Sequence, residues 1–409
     1  MKLLYFHQHF STPQGSTGTR SYEMAMRSIK EGHEVTMVCG SYNGGNTGLK
    51  NPFKWGRRSG IVKGIKVIEF NLSYSNNDGF VKRALLFILF ALRSIVIALT
   101  YSYDILFATT TPLTAGIPGI FARWIRGKTF IFEVRDLWPE LPKAMGVITN
   151  PIVLNLMALL EYISYKSAHR LIGLSPGICE GIASKGISNQ KIIQISNGCD
   201  LELFANESQK GRPKEFDESD LIFIYSGTHG IANGLDSVLN AVSVLNQRGR
   251  SGYKIILIGS GREKQRLIDK AKSESLDNHI IFMEPISKEK LVGLLKTSDV
   301  GLQILADIPA FYFGTSPNKF FDYLAIGLPV LTNYPGWVAN LIEQNQCGVS
   351  CEPSDSLKFA DKVVYLLENK GLLINMGRNA RQLAEKEFDR RVLSLYWVNW
   401  VFYGSKINE

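Results

Sequence analysis

Leu221-Ile222-Phe223-Ile224-Tyr225-Ser226-Gly227-Thr228-His229-Gly230, near the middle of a 409-residue chain, reads as a buried strand running into a glycine-flanked turn. Asn233-Gly234 follows, and then a helical pattern. An α/β pattern restarts here. Upstream, Lys2–Phe6, Val35–Val38, Lys66–Phe70, Ile105–Ala108, Thr129–Glu133, Arg170–Leu174 and Lys191–Ile195 read as strands, separated by amphipathic stretches such as Arg20–Gly32. Downstream, Lys254–Ile258, Ile280–Met283, Val300–Ile304 and Val330–Thr332 continue a second set. Two Rossmann-like, doubly wound α/β domains with parallel sheets are therefore expected, facing each other across a cleft. The domain bounds expected are 1–200, a linker at 201–220 carrying the charged run Lys214–Asp220, 221–385, and a C-terminal helix at 386–409 returning to the first domain. Ligands of such sheets sit beyond the carboxyl ends of the strands.

The bulk numbers narrow the function. Hydrophobic residues make up 45% and charged residues 20%, the balance of a soluble globular chain. Five scattered cysteines argue against a disulfide framework and for a reducing, cytosolic setting. Leu3-Leu4-Tyr5-Phe6 is too short for a signal peptide and runs into His7, Gln8 and His9. The net charge of +9 is uneven: residues 1–200 hold 22 Lys and Arg against 12 Asp and Glu, and residues 201–409 hold 24 against 25. With no nucleic-acid motif present, a membrane surface or a diphosphate is the better partner for the basic half. Ala84–Tyr101 is almost wholly apolar, follows Lys82 and Arg83, and contains Arg93. Arg93 would make spanning a bilayer costly, by about 2.5–3.5 kcal/mol. Two readings stay open: a helix packed on the first sheet, or one lying in the bilayer interface with its basic residues at the headgroups.

Four stretches could carry chemistry. Gly15-Ser16-Thr17-Gly18-Thr19-Arg20 joins the first strand to its helix, so Gly15 and Gly18 form either a phosphate-binding turn or a plain tight one. In Phe132-Glu133-Val134-Arg135-Asp136-Leu137-Trp138, Arg135 and Asp136 emerge at a strand's carboxyl end. They read as an internal ion pair or as substrate contacts, and Trp138 offers a flat face to a sugar ring. Gly227, Thr228, His229 and Gly230 form the first strand-to-helix turn of the second domain. Its backbone N–H groups can meet a phosphate, and His229 is either structural or a hydrogen-bond donor to ligand. A helix from Asn318 to Ala325 puts Lys319 and Asp322 three residues apart on one face. The two could pair with each other. Alternatively, the lysine meets a diphosphate and the carboxylate accepts the hydroxyls of a ribose.

Together these pieces resemble the GT-B glycosyltransferases of family 4 over nearly the whole chain. Gly32-His33-Glu34-Val35 closes the first helix as in that family. Ser196-Asn197-Gly198-Cys199-Asp200 with Phe204 resembles its "NGVD…F" element, Leu257-Ile258-Gly259-Ser260-Gly261 its "VGxG" turn, and Gly336 to Gly348 the segment after its donor-site helix. Phe132–Glu140 and Gly227–Gly230 look like the bacterial O-antigen and capsule branch, with the N-acetyl-L-fucosamine transferases as the suggested match. The resemblance implies a nucleotide-sugar donor, best read as UDP-linked, and transfer with retention of configuration. It implies an undecaprenyl-diphosphate-linked glycan as acceptor, and work at the cytoplasmic face of the cell membrane with the first domain in peripheral contact. Lys319, His229 and the turn's N–H groups would stabilise the leaving diphosphate. Asp136, beside Arg135, would orient the acceptor hydroxyl or act as an auxiliary base. No Asp-x-Asp metal motif is present, and no cofactor beyond the donor is expected. The family's paired glutamates fall here on Gly314 and Asp322, and its Arg and Lys after the first strand of the second domain on Thr228 and Asn233. A nucleotide-sugar 2-epimerase, a periplasmic-type sugar-binding protein and a non-catalytic assembly subunit share the two-lobed design as rivals.

Overall fold

The computed structural model describes residues 1–15, 17–75, 78–205, 217 and 219–405. It divides into two compact units: residues 1–196, 314–316 and 391–409, and residues 197–313 and 317–390. Most of the expected linker at 201–220 lies outside the described residues, while Leu201–Ala205 is a short helix.

The first unit is built on a sheet of β1 (Lys2–Phe6), β2 (Glu34–Tyr42), β3 (Arg57–Val62), β4 (Ile65–Tyr74), β5 (Ile105–Thr109), β6 (Thr129–Val134), β7 (Arg170–Gly173) and β8 (Ile192–Gln194). Their spatial order is β3-β4-β2-β1-β5-β6-β7-β8. All neighbours pair in parallel except β3, which runs antiparallel to β4 at the edge. The parallel sheet expected is found, with this one antiparallel strand added at its edge. A two-residue turn, Lys63-Gly64, returns the chain directly, and such a hairpin can only join antiparallel strands.

Five longer helices cover this sheet: α1 (Arg20–Lys30), α2 (Phe80–Thr100), α3 (Ile117–Arg126), α4 (Pro151–Ser167) and α5 (Pro176–Ser184). Phe90, Ile97 and Ala98 of α2, Ala122 of α3, Tyr165 of α4 and Ile178 of α5 share one core with Leu4, Leu106 and Phe132 of the strands. On the other face, Met24 and Ala25 of α1 share a core with Leu393, Trp397 and Phe402 from the C-terminal residues. Trp397 lies against Tyr5 and Phe107, its ring centroid 4.7 Å from that of Phe107. Both faces are thus covered, which is why the central strands are near-continuous apolar runs, broken in β6 by Glu133 close to its carboxyl end.

The apolar segment 84–101 forms most of α2, which packs on the first sheet along one side. Phe90, Ala91, Ser94, Ile97 and Ala98 face the sheet, yet only 28% of the helix's most apolar stretch is buried. Leu85, Ile88, Leu92 and Val96, recurring every three or four residues, are exposed. Arg93 does not reach that outer face. Its guanidinium turns back to the Gly56 carbonyl, 3.2 Å away, and lies over the Phe70 ring.

The second unit has β9 (Leu221–Ser226), β10 (Tyr253–Ile258), β11 (Ile280–Met283), β12 (Val300–Gln303), β13 (Val330–Thr332) and β14 (Gly348–Ser350), all parallel, in the order β11-β10-β9-β12-β13-β14. The helices that matter for the site are α6 (Asp236–Gln247), α7 (Lys264–Ser273), α8 (Lys288–Leu295) and α9 (Asn318–Ile326).

Candidate functional site

Each sheet presents a cluster of polar groups at its carboxyl edge. In the first unit the cluster is organised by Glu133, whose carboxylate is fully buried at the end of β6. Arg20 at the start of α1 reaches it through two guanidinium nitrogens, at 2.9 and 3.1 Å, and also donates to the carbonyls of Ile195 and Ser196. Arg135 donates to the other carboxylate oxygen at 3.2 Å and to the hydroxyls of Thr109 and Ser21. Burial alone would push the Glu133 carboxyl up, but the two guanidinium groups outweigh it and hold it below its ordinary value. The ion pair weighed between Arg135 and Asp136 is replaced by this one, because Glu133 lies closer to Arg135's head.

That leaves Asp136 available. One of its oxygens accepts a hydrogen bond from the Thr111 hydroxyl at 3.0 Å. Burial raises its carboxyl above the ordinary value, with Thr111 and Arg135 opposing. A carboxylate raised in this way accepts protons more readily than a solvated one. Trp138 packs against the core of the unit rather than standing free. Gly15 is held by a hydrogen bond to the Thr12 carbonyl, and a Cβ there would meet Ser11 and the Asn46 backbone. Gly18 is exposed, and Ser16 between them lies outside the described residues.

Sequence reasoning passed over His7, Gln8 and His9. They follow β1 directly, at the same edge, and have buried polar atoms without a partner: His7 Nδ1, both ends of the Gln8 amide and His9 Nε2. Burial holds both imidazoles neutral, His9 down to about 3, with the Arg135 charge adding to the effect. The His9 ring lies against both Tyr42 and Tyr74, its centroid 4.9 and 4.5 Å from theirs and its plane tilted to each. The available signal was three consecutive polar residues straight after an apolar strand.

Arg20→Met leaves Glu133 with one guanidinium instead of two in a water-free setting. Breaking a buried pair from one side costs about 3–5 kcal/mol, so a loss of that order is expected in urea unfolding followed by circular dichroism. Glu133's stabilisation is present above the ordinary carboxylate pKa and lost as pH falls through its lowered value. The gap between wild type and variant should therefore narrow in acid.

In the second unit, two turns zip together through their backbones. Gly227 N–H donates to the Ile258 carbonyl and His229 N–H to the Ser260 carbonyl, each at 2.9 Å. A Cβ on Gly259 would overlap the Gly227 carbonyl, and one on Gly261 the His229 carbonyl, so only glycine permits this approach. Lys264 at the start of α7 donates to the carbonyls of Gly259 and Met283.

Helix α9 is seated by Tyr323, whose buried hydroxyl donates to the Ile224 and Leu302 carbonyls and accepts from Ser226 N–H. That seating brings Lys319, on the first turn of α9, to Gly227. Its ammonium lies 3.8 Å from the centroid of the Tyr225 ring, and the Tyr225 hydroxyl donates to the Thr228 carbonyl. Among the described residues no carboxylate pairs with Lys319, and burial lowers its pKa to about 7.

Asp322 goes elsewhere. Both its oxygens accept from the ammonium of Lys288 on α8, and Lys288 lies over the Phe204 ring. Lys319 and Asp322 do not pair, and the carboxylate suggested for a ribose is engaged by Lys288. His229 is wholly buried with both ring nitrogens unpartnered. Burial, then the charges of Lys264 and Lys319, lower its pKa to about 4, so it is a neutral imidazole. Lys319, Gly227, Thr228, His229 and Gly230 are thus brought together, and Asp322 is held in a separate ion pair with Lys288.

Residues 15–198 match the glycosyl transferase 4-like domain, and residues 207–383 match the glycosyl transferases of group 1. Among curated proteins, the N-acetyl-alpha-D-glucosaminyl L-malate synthase of Bacillus anthracis is 23% identical over 211 residues, 51% of this chain and 53% of that one. The capsular polysaccharide biosynthesis glycosyltransferase CapM of Staphylococcus aureus is 21% identical over 291 residues, 68% and 72% of the two chains. The chain spans about half the length of the first curated relatives it matches, 53% and 45%. Among solved structures, sucrose-phosphate synthase from Thermosynechococcus elongatus superposes with a TM-score of 0.76 at 16% identity, covering 99% of this chain and 100% of that one. HepE from Anabaena in complex with UDP gives 0.65 at 15% identity, covering 97% and 98%. These neighbours share the GT-B fold of two Rossmann-like domains.

Proposed function

The chain belongs to the glycosyltransferases with a 4-like domain followed by a group 1 domain, and we propose that it moves a sugar from a nucleotide diphosphate onto a glycan acceptor. The observation that carries this reading is Lys319: an ammonium without a carboxylate partner among the described residues, set over Tyr225 beside the Gly227–Gly230 turn. That placement suits the diphosphate of a donor. UDP is the nucleotide we favour, since the structural neighbour HepE binds it. The neutral His229 serves as a hydrogen-bond donor there, not as a second cation.

In the reaction, the bond from the sugar's C1 to the diphosphate oxygen breaks and a bond from C1 to an acceptor hydroxyl oxygen forms. With retention, the acceptor attacks from the face the diphosphate leaves, and the departing oxygen takes the hydroxyl proton. Lys319 and the N–H groups of Thr228 and Gly230, those of the turn that do not donate to Ile258 and Ser260, stabilise the charge on the leaving diphosphate. Asp136 orients the acceptor hydroxyl or shares its proton, and Arg135 is fixed by Glu133. We place the reaction in bacterial surface polysaccharide assembly, O-antigen or capsule, as CapM is named for capsule biosynthesis. The acceptor we favour is an undecaprenyl-diphosphate-linked glycan at the cytoplasmic face, and the donor sugar N-acetyl-L-fucosamine. UDP release measured with and without acceptor tests the reading. Release that requires acceptor supports it, and equal release without acceptor removes it.

A pH dependence follows. Free Lys319 is about half charged at pH 7, and a bound diphosphate favours its charged form. UDP binding should therefore take up a proton above pH 7, and affinity should weaken as pH rises from 7 towards the raised value in the complex. Calorimetry at pH 8 in two buffers of different ionisation enthalpy reads the uptake directly. Lys319→Arg, charged throughout, should abolish it.

A further inference from the structure

The largest feature the transfer chemistry leaves unused is the outer face of the first unit. Helices α2, α3 and α4 lie side by side on one face of the sheet and share one core. Their outward residues are apolar on all three: Leu92 and Val96 on α2, Trp124 and Ile125 on α3, Ile152 and Leu156 on α4. Trp124 is 68% exposed and Ile152 69%. Scattered exposed apolar residues are ordinary in a soluble protein, but a continuous face across three neighbouring helices marks a contact surface.

Charge says which kind. Apart from Arg93, which turns inward, the three helices carry Lys82, Arg83, Arg123, Arg126 and Lys166 against one acid of their own, Glu161; Lys82 is paired with Asp78 just before α2, at 2.7 Å. Glu161 is buried and engaged by Tyr165 and Lys185. The face is therefore apolar and cationic with no exposed acid of its own. A second copy of the chain would bring cations against cations, whereas an anionic lipid surface offers hydrocarbon for the apolar residues and phosphates for the basic ones.

Topology adds orientation. Each of the three helices follows a strand and leads to the next parallel strand, so each begins at the sheet's carboxyl edge. Phe80, Val81, Lys82 and Arg83, at the start of α2, lie at the edge that carries Asp136.

We infer that the joint outer face of α2, α3 and α4 is a docking surface for an anionic bilayer, lying flat in the headgroup region rather than spanning it. Arg93 turned inward to Gly56 fits a helix that presents one clean apolar side. The surface stands independently of the transfer reaction and would hold the carboxyl edge of the first sheet close to the lipid.

The test uses the full chain and vesicles of phosphatidylcholine with or without phosphatidylglycerol. Co-sedimentation is expected with the anionic vesicles, at least tenfold weaker with phosphatidylcholine alone, and weaker again at about 0.5 M salt, where screening shortens to a few ångströms. The pair Ile152→Glu and Leu156→Glu, on a helix the apolar segment 84–101 does not include, should weaken it at least tenfold. UDP affinity, read in the same preparation, should be unchanged in the pair and shows that the chain is folded. A wild-type chain that stays in the supernatant at low salt overturns the inference, as does a variant that binds vesicles like wild type. Light scattering that shows a dimer split by the same variant, with no vesicle binding, assigns the face to a second copy instead. None of these results touches the transfer reading, which stands or falls on UDP release.

Discussion

Asp136→Asn should lower turnover by roughly 10²–10⁴-fold, the range for losing a positioned acid–base group, while UDP affinity stays at the wild-type value. The substitution keeps the shape and the hydrogen bond from Thr111, and it removes the charge and the basicity. Its neighbours are tied elsewhere: Arg135 to Glu133, Thr109 and Ser21, and Glu133 to Arg20. The change should therefore not propagate into the fold, and thermal unfolding should match wild type. Two kinetic patterns separate the open roles. If Asp136 shares the proton, kcat falls and the pH profile loses a limb. If it only orients the acceptor, KM for acceptor rises and the profile keeps its form. Near-normal turnover with a working acceptor would remove Asp136 from the reaction.

Lys319→Ala should weaken UDP binding by roughly 10–100-fold. A hydrogen bond to a charged group contributes about 1.5–3 kcal/mol, and each 1.4 kcal/mol is a factor of ten. The ammonium rests on the Tyr225 ring and, among the described residues, no carboxylate holds it, so removing it leaves no described buried anion behind. Stability of the free protein should not fall, because burial already disfavours the charged form. Lys288→Met makes a contrast. It leaves the Asp322 carboxylate buried without its cation, so its main effect should be on stability, with UDP affinity following only as far as α9 shifts. Equal UDP affinity in wild type and Lys319→Ala would show that the donor site lies elsewhere.

The fold was legible because its central strands are apolar runs bounded by turn residues, and Leu221–Ser226 restarts that pattern. The strands missed are the ones that break it. β3 is Arg-Arg-Ser-Gly-Ile-Val at a sheet edge, where one side meets water and charge is tolerated. β14 has only three residues, too few to show a period. In the site, Lys319 beside the glycine turn could be anticipated from a helix that begins at Asn318. The partner of Asp322 could not: Lys288 is 34 residues away, and Arg20 is 113 residues from Glu133. Such pairs are set by how the helices pack on the sheet, which local spacing does not encode. His229 shows the same limit. Its place between glycines was visible in the sequence, but the burial of its ring beside the turn at Gly259–Gly261 was not.

The central claim is that sugar passes from a nucleotide to an acceptor. Its most direct measurement is mass spectrometry of the purified chain incubated with a panel of UDP-sugars and undecaprenyl-diphosphate-linked glycans. The account predicts one acceptor whose mass rises by a single sugar residue, with UDP formed in equal amount. Conversion of the nucleotide sugar to an isomer of unchanged mass, with the acceptors untouched, would contradict it.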